Sequence, residues 1–403
     1  MFLVKNQVWI FVLVMLVLSS CSFGTTYKSK KSNLIDLQRN LCSEHREVNS
    51  CVDDGSGTIE SPYLISTIDC LQKIGLAPKC NFKLAANIDA SPTHSWNSGL
   101  GWKPIKNFEG SLDGGGFRIS NLKSTSSVGG LVENIVGSVA VSNIVFENIE
   151  ITSTSGTAGI LVGEISSNST ITAHNIEVLN SSVNSFTDGG GLAGMIVDAE
   201  SDIEVSDVNM NGLTLISNRH SGGLVGSITN IEVSISLNNI TVSGADITGS
   251  TNTGGLVGLI ESGLGQVSLE NIQISNMELT PGSDYTAFLA GQIKDGPQLN
   301  LENISVTESN IAQGGIERAG LAGNLTNSGD ILLRDIHMEN VIISTVEEYQ
   351  DEPDAAALFA RAAGTFVITV YYDTLDLINT IDSYFEEDLD LYISSGDTDI
   401  VVL

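Results

Sequence analysis

Basic residues are scarce in this chain: 18 lysines and arginines stand against 48 aspartates and glutamates, a formal charge of −30. Phosphate backbones are bound by clustered cations, so nucleic acid is excluded as a natural partner. A surface this acidic suits divalent cations, cationic partners or plain solubility at high salt. Aromatics make up only 6% of the residues and few fall between 128 and 343, which argues against a long sugar-stacking platform. Beyond residue 21 no apolar run is long enough to cross a bilayer, and helical periodicity is absent from the middle of the chain.

What is present begins at the N-terminus. Lys5 precedes an unbroken apolar run over residues 8–18, followed by Leu18-Ser19-Ser20-Cys21. That run is shorter than the roughly 20 residues of a membrane span, and small residues stand before the cysteine. The pattern resembles a bacterial lipoprotein signal peptide over residues 1–20, cleaved to leave a diacylglycerol on the Cys21 sulfur. Residues 21–40, with Lys28, Lys30 and Lys31, then read as a tether. Ser22 resembles the residue found in lipoproteins sorted outward, so the expected location is the outer membrane or cell surface, with the membrane as a partner through the lipid.

Four further cysteines, Cys42, Cys51, Cys70 and Cys80, suggest two disulfides in an oxidising compartment. Three pairings are open. Nearness in the chain favours Cys42 with Cys51 and Cys70 with Cys80, and the spacings lack the Cys-x-x-Cys form of zinc sites.

Period carries most of the information. Asn143, Asn175, Asp207, Asn239, Asn271, Asn303 and Asp335 follow one another at intervals of 32 residues. Each is followed by Ile or Val and preceded two positions earlier by an apolar residue, such as Val141 or Leu269. A second motif recurs as Gly191-Leu192-Ala193-Gly194, Gly223-Leu224-Val225-Gly226, Gly255-Leu256-Val257-Gly258 and Gly320-Leu321-Ala322-Gly323, with departures at Glu133, Ile160 and Phe288. Over residues 128–343 the chain resembles the GLUG repeat of bacterial surface proteins. Short alternating apolar stretches broken by Ser, Thr, Asn and Gly predict about three strands per unit, and a strand that cannot bury its face alone must stack on its neighbours. The predicted fold is all-β, a right-handed parallel β-helix of about seven 32-residue coils. Stacking would align the seven Asn/Asp positions as a buried amide ladder in which Asn271 bonds to Asn239 and Asn303. Calcium is the alternative for this row, but five of its seven members are neutral amides.

The open ends of such a stack need covers. Residues 41–127 read as the N-terminal cap and entry coils, with a short helix over 66–75 in which Ser66 is the expected N-cap, Ile68, Leu71 and Ile74 share a face, and Gly75 ends the helix. Residues 344–403 read as an acidic final coil and C-terminal cap, because Ala357 follows Gly320 by 37 residues and a strand pattern persists over 366–372.

Many parallel β-helices cleave polysaccharides. A lyase needs a base, commonly Arg or Lys, beside carboxylates, yet Arg219, Lys294, Arg318 and Arg334 are the only Lys or Arg residues from 129 to 343. The 32-residue period stacks Asp188, His220, Asn252 and Asp284, the best polar constellation in the repeats, and it also stacks Glu270, Glu302 and Arg334. The first column precedes the glycine motif and reads as solvated turn residues, with a metal or catalytic site as the alternative. The favoured function is a non-catalytic, adhesin-like or ligand-binding surface scaffold with an unidentified protein or glycan partner and no cofactor. A carbohydrate-active enzyme and a structural envelope spacer are the competing readings.

Overall fold

The computed structural model describes Cys42, Val48, residues 50–344 apart from positions 168, 262, 264, 297, 313, 315, 316, 327 and 328, and strands between 355 and 402. Cys21, the signal peptide and the tether lie outside the described residues, as does much of the C-terminal cap. The architecture is a parallel β-helix. One lap runs through four strands: Ser234–Ser243, Asp246–Gly249, Asn252–Gly254 and Val257–Glu261, after which Gln266–Ser275 returns to lie beside the first. Stacked laps build four parallel sheets, called first to fourth here in chain order, of 15, eight, six and eight strands among the described residues. The repeat therefore holds one strand more than its apolar pattern predicts, because the third, as short as Gly189–Gly190, is almost without apolar side chains.

The long strand of the first sheet explains why an Asn or Asp is needed every 32 residues. Apolar residues face inward at Val139 and Val141, then at Ile144 and Phe146, so the two-residue alternation loses its phase between 141 and 144. A single left-handed residue restores it by turning the strand through a corner. All seven ladder positions have φ between 53° and 56°, a region that Asn and Asp tolerate better than other residues with a Cβ. Five residues on, Asn148, Asn180, Gly212, Gly244, Asn276, Glu308 and Asn340 form a second corner, with φ from 46° to 71°, where Asn, Gly and Glu alternate and no single residue type marks the repeat.

The glycine motif has a different cause. A Cβ at Gly226, Gly258 or Gly291 would lie 2.8 Å from the backbone nitrogen of Gly189, Ser221 or Thr253. The fourth sheet is thus pressed backbone to backbone on the third sheet of the preceding coil. A side chain is excluded there, and the same contact recurs at Gly194 and Gly323, whereas the first and last laps carry Glu133 and Ala360 at that position.

At the N-terminal end the helix α1 (Ile68–Lys73) is capped by Thr67, not Ser66: the Thr67 hydroxyl accepts the Cys70 N–H at 3.3 Å. Gly75 sits within a 3-10 turn, Ile74–Leu76, that continues the helix. Ile68, Leu71 and Ile74 are buried as their spacing predicts. The disulfides join Cys42 to Cys80 and Cys51 to Cys70, which corrects the pairing by chain nearness. The reason is α1: it presents Cys70 to the preceding loop at Cys51, while Cys80 lies beyond the helix at the start of strand Asn81–Leu84. At the other end, Phe359–Ala363 and Val367–Val370 extend the fourth and first sheets, and Phe359 pairs with Ala322 across the predicted 37-residue lap.

Candidate functional site

The sequence-selected column lies on the third sheet, where His220 stands opposite Asn252 and Gly189 opposite Ser221, so that Asp188 adjoins His220. Asp284 does not join it. Thr253 pairs with Thr286, which places Tyr285 next to Asn252, and Glu317 follows. Seventeen residues lead from Asn271 to Phe288 where sixteen lead from Asn239 to Gly255, and the next stretch to Asn303 is one shorter. The ladder keeps its 32-residue period through this lap while the third sheet slips by one.

Nor are these residues solvated. Asp188, His220 and Asn252 are 2%, 5% and 1% exposed, because their side chains turn toward the fourth sheet across the close contact made by the glycines. Asp188 Oδ2 accepts the Ser227 hydroxyl at 2.9 Å, and Arg219 Nε stands 3.9 Å from Oδ1. Asn252 donates to Gln292 Oε1 at 3.1 Å, Gln292 to Asn324 at 3.5 Å, and Asn324 to Glu317 Oε2 at 3.2 Å. The row is a polar seam that sews the third sheet to the fourth.

Electrostatics set its chemistry. Burial pushes the Asp188 carboxyl above the ordinary range, opposed by the Ser227 hydroxyl, Arg219 and the His220 N–H. Burial, with Arg219 and Lys294 adding to it, pushes His220 down to about 3. A neutral imidazole of such low basicity is a poor proton acceptor at neutral pH. Asp188 Oδ1, His220 Nδ1 and Asn252 Oδ1 are buried without a hydrogen-bond partner. Two oxygens and one nitrogen fall short of the six to eight oxygens of a calcium site. Among the described residues no group of three or more His, Cys, Asp or Glu converges as a metal site would.

The ladder exists, but outside the core. Asn175 donates to Asn143 at 2.8 Å, Asn239 to Asp207 at 2.6 Å and Asn303 to Asn271 at 2.6 Å, while Asn143 reaches back to Asp113 at 3.0 Å. Asn271 itself turns to Asn238, not Asn239, and is exposed instead of buried. Left-handed corners point their side chains outward, which is why the row is solvated. Glu270, Glu302 and Arg334 align as the period requires, with Arg334 3.6 Å from Glu302. A cleft in the N-terminal cap, between α1 and residues 91–106, leaves no mark in the sequence, because it joins segments about 30 residues apart that share no repeat.

No protein-family model matches the chain. A stretch of 133 residues, 31% of this chain, is 39% identical to Halomucin of Haloquadratum walsbyi and corresponds to 1% of that protein's length. Among solved structures, a candidate immunoglobulin A1 protease from Bacteroides ovatus overlays 67% of this chain and 86% of its own, at 17% identity and a TM-score of 0.43. An endo-xylogalacturonan hydrolase from Aspergillus tubingensis overlays 71% of this chain and 93% of its own, at 13% identity and a TM-score of 0.29. Both are loose overlays on proteins of different activity.

Proposed function

We propose that the chain is a lipid-anchored surface protein whose β-helix is a non-catalytic, adhesin-like binding scaffold. The observation that supports this reading best is the outer face of the first sheet. There Thr172, Glu204, Ser236, Ser268 and Asn300 stand in register on successive coils, beside a second row of His174, Ser206, Asn238, Glu270 and Glu302. Such rows repeat every ~4.8 Å and offer weak polar contacts that are already ordered before a partner arrives. Asp188, His220 and Asn252 of the polar seam, by contrast, are buried.

Two measurements test the proposal. Mass spectrometry of the envelope-extracted protein is expected to find diacylglycerol on Cys21, and its absence would remove the anchor from the reading. Incubation with pectic, alginate and hyaluronan polymers is expected to release no fragments. Release that is abolished by His220→Ala would establish the carbohydrate-active reading instead.

A further inference from the structure

Charge is distributed unevenly along the chain. Residues 41–127 hold eight basic and nine acidic residues, whereas residues 128–343 hold four and 24. In the cap most described cations are already engaged: Lys79 with Glu109, Lys83 with Asp113, Lys106 with Glu133 and Arg118 with Glu147. Lys73 and Lys103 have no ion-pair partner among the described residues. Both line the same cleft of about 910 Å³, together with Lys106 and Trp96. Asp69 is the one carboxylate in that lining and Lys106 is paired with Glu133, so two lysines without an ion-pair partner among the described residues share the cleft with one acid.

The walls are fixed in advance. The Gln72 side chain clasps the Lys103 backbone twice, donating to its carbonyl at 2.8 Å and accepting its N–H at 3.0 Å. Buried Trp102 donates its indole N–H to the Leu131 carbonyl at 3.0 Å, and Ile105 pairs with Val132, so this wall is pinned to the first coils. Opposite it, Trp96 is held by a tight turn in which Asn97 and Ser98 are both left-handed, at φ 50° and 59°, and Asn97 Nδ2 donates to the Gly101 carbonyl at 2.6 Å. Two consecutive non-glycine residues in that region cost stability, and such strain concentrates where a side chain must be held for binding. Here the side chain so held is a half-buried tryptophan at the rim of the cleft.

We propose that this cleft binds an acidic oligosaccharide of the uronate class. Trp96 supplies an apolar face for a pyranose ring, Lys73 and Lys103 pair with ring carboxylates, and the volume suits a few sugar units. On a molecule of charge −30 an anionic ligand is repelled almost everywhere else, so the neutralised cap is where it can be held. The proposal stands on the cleft alone and is independent of the lipid-anchored scaffold reading.

Titration calorimetry on the full chain tests it, using a hexameric oligouronate and a neutral glucan of the same length. The oligouronate is expected to bind and the glucan not, with affinity falling as salt is raised. The double variant K73A/K103A is expected to lose about tenfold or more. Trp96→Ala is expected to lose several-fold, and Lys123→Ala, outside the cleft and without an ion-pair partner among the described residues, to change nothing. Matching circular dichroism of the variants verifies folding. No binding, equal binding of the glucan, or binding unaffected by both cleft variants would overturn the proposal. Binding that responds to the lysines and ignores Trp96→Ala would overturn its saccharide part, leaving a general anion site.

Discussion

At the scale of single residues, backbone conformation outweighs side-chain bonding at the corners. Asn271 has φ 56° and makes only exposed amide contacts, to Asn238 and from Asn303. Asn271→Gly is therefore expected to cost less than about 1 kcal/mol, while Asn271→Val, which cannot adopt the left-handed region without strain, should cost ~1–2 kcal/mol in urea denaturation. Equal losses would show that the amide bonds matter more than the turn. The seam gives a pH prediction. His220 holds its proton only below about 3 in the fold, against 6.5 for the ordinary side chain. The unfolded chain binds more protons between those values, so this contribution is complete above about 6.5 and is lost as pH falls toward 3. Asp188, with its pKa raised, acts in the opposite sense: keeping it ionised costs the fold stability just above the ordinary carboxylate range. His220→Gln is expected to flatten the decline of stability between about pH 6.5 and 4, and an unchanged slope by chemical denaturation would contradict the assignment.

At the scale of elements, the coil is held by two devices that a hydropathy pattern does not distinguish. Burial of short apolar strands drives stacking, and glycine lets the third and fourth sheets meet without side chains between them. A Cβ at Gly226 would sit 2.4 Å from the Gly194 carbonyl oxygen and 2.8 Å from the Gly189 nitrogen, both backbone atoms that cannot swing aside. Gly226→Ala is accordingly expected to cost about 1–3 kcal/mol, although its φ is not left-handed. Gly75→Ala, whose added Cβ meets nothing, should be tolerated. Comparable melting temperatures for the two variants would remove the close-packing account of the motif. The glycines were legible in the sequence as a repeat, but whether they served a turn or a contact was not, since both demands select the same residue.

Across the whole molecule, the coils carry like charge on every lap. Residues 128–343 contribute 24 carboxylates against four cations, a self-repulsion that the fold must withstand. Raising the ionic strength from about 0.01 M to about 1 M shortens the screening length from ~30 Å to ~3 Å, and the thermal midpoint is expected to rise across that range. A midpoint independent of salt would mean that the carboxylates are too dispersed to interact. The asymmetry between cap and coils also gives the molecule a direction, with the lysines that lack an ion-pair partner among the described residues gathered in the N-terminal cap beside acidic coils.

The sequence by itself determined the parallel β-helix, the 32-residue lap, the rows of aligned residues and the helix at the N-terminal cap, because stacking copies one local pattern and a period is visible without coordinates. Only the tertiary structure decided which cysteines meet, that the Asp188–His220 row is sealed while the Asn271 row is exposed, that Tyr285 replaces Asp284 in its column, and that Lys73, Trp96 and Lys103 share a cleft. Each of these depends on how one segment turns toward another: an α-helix carrying Cys70 back to Cys51, a corner pointing an amide outward, a one-residue slip absorbed within a lap, two cap segments folding together. The sequence period records how residues follow one another along the chain, and says nothing of the direction in which each side chain leaves it.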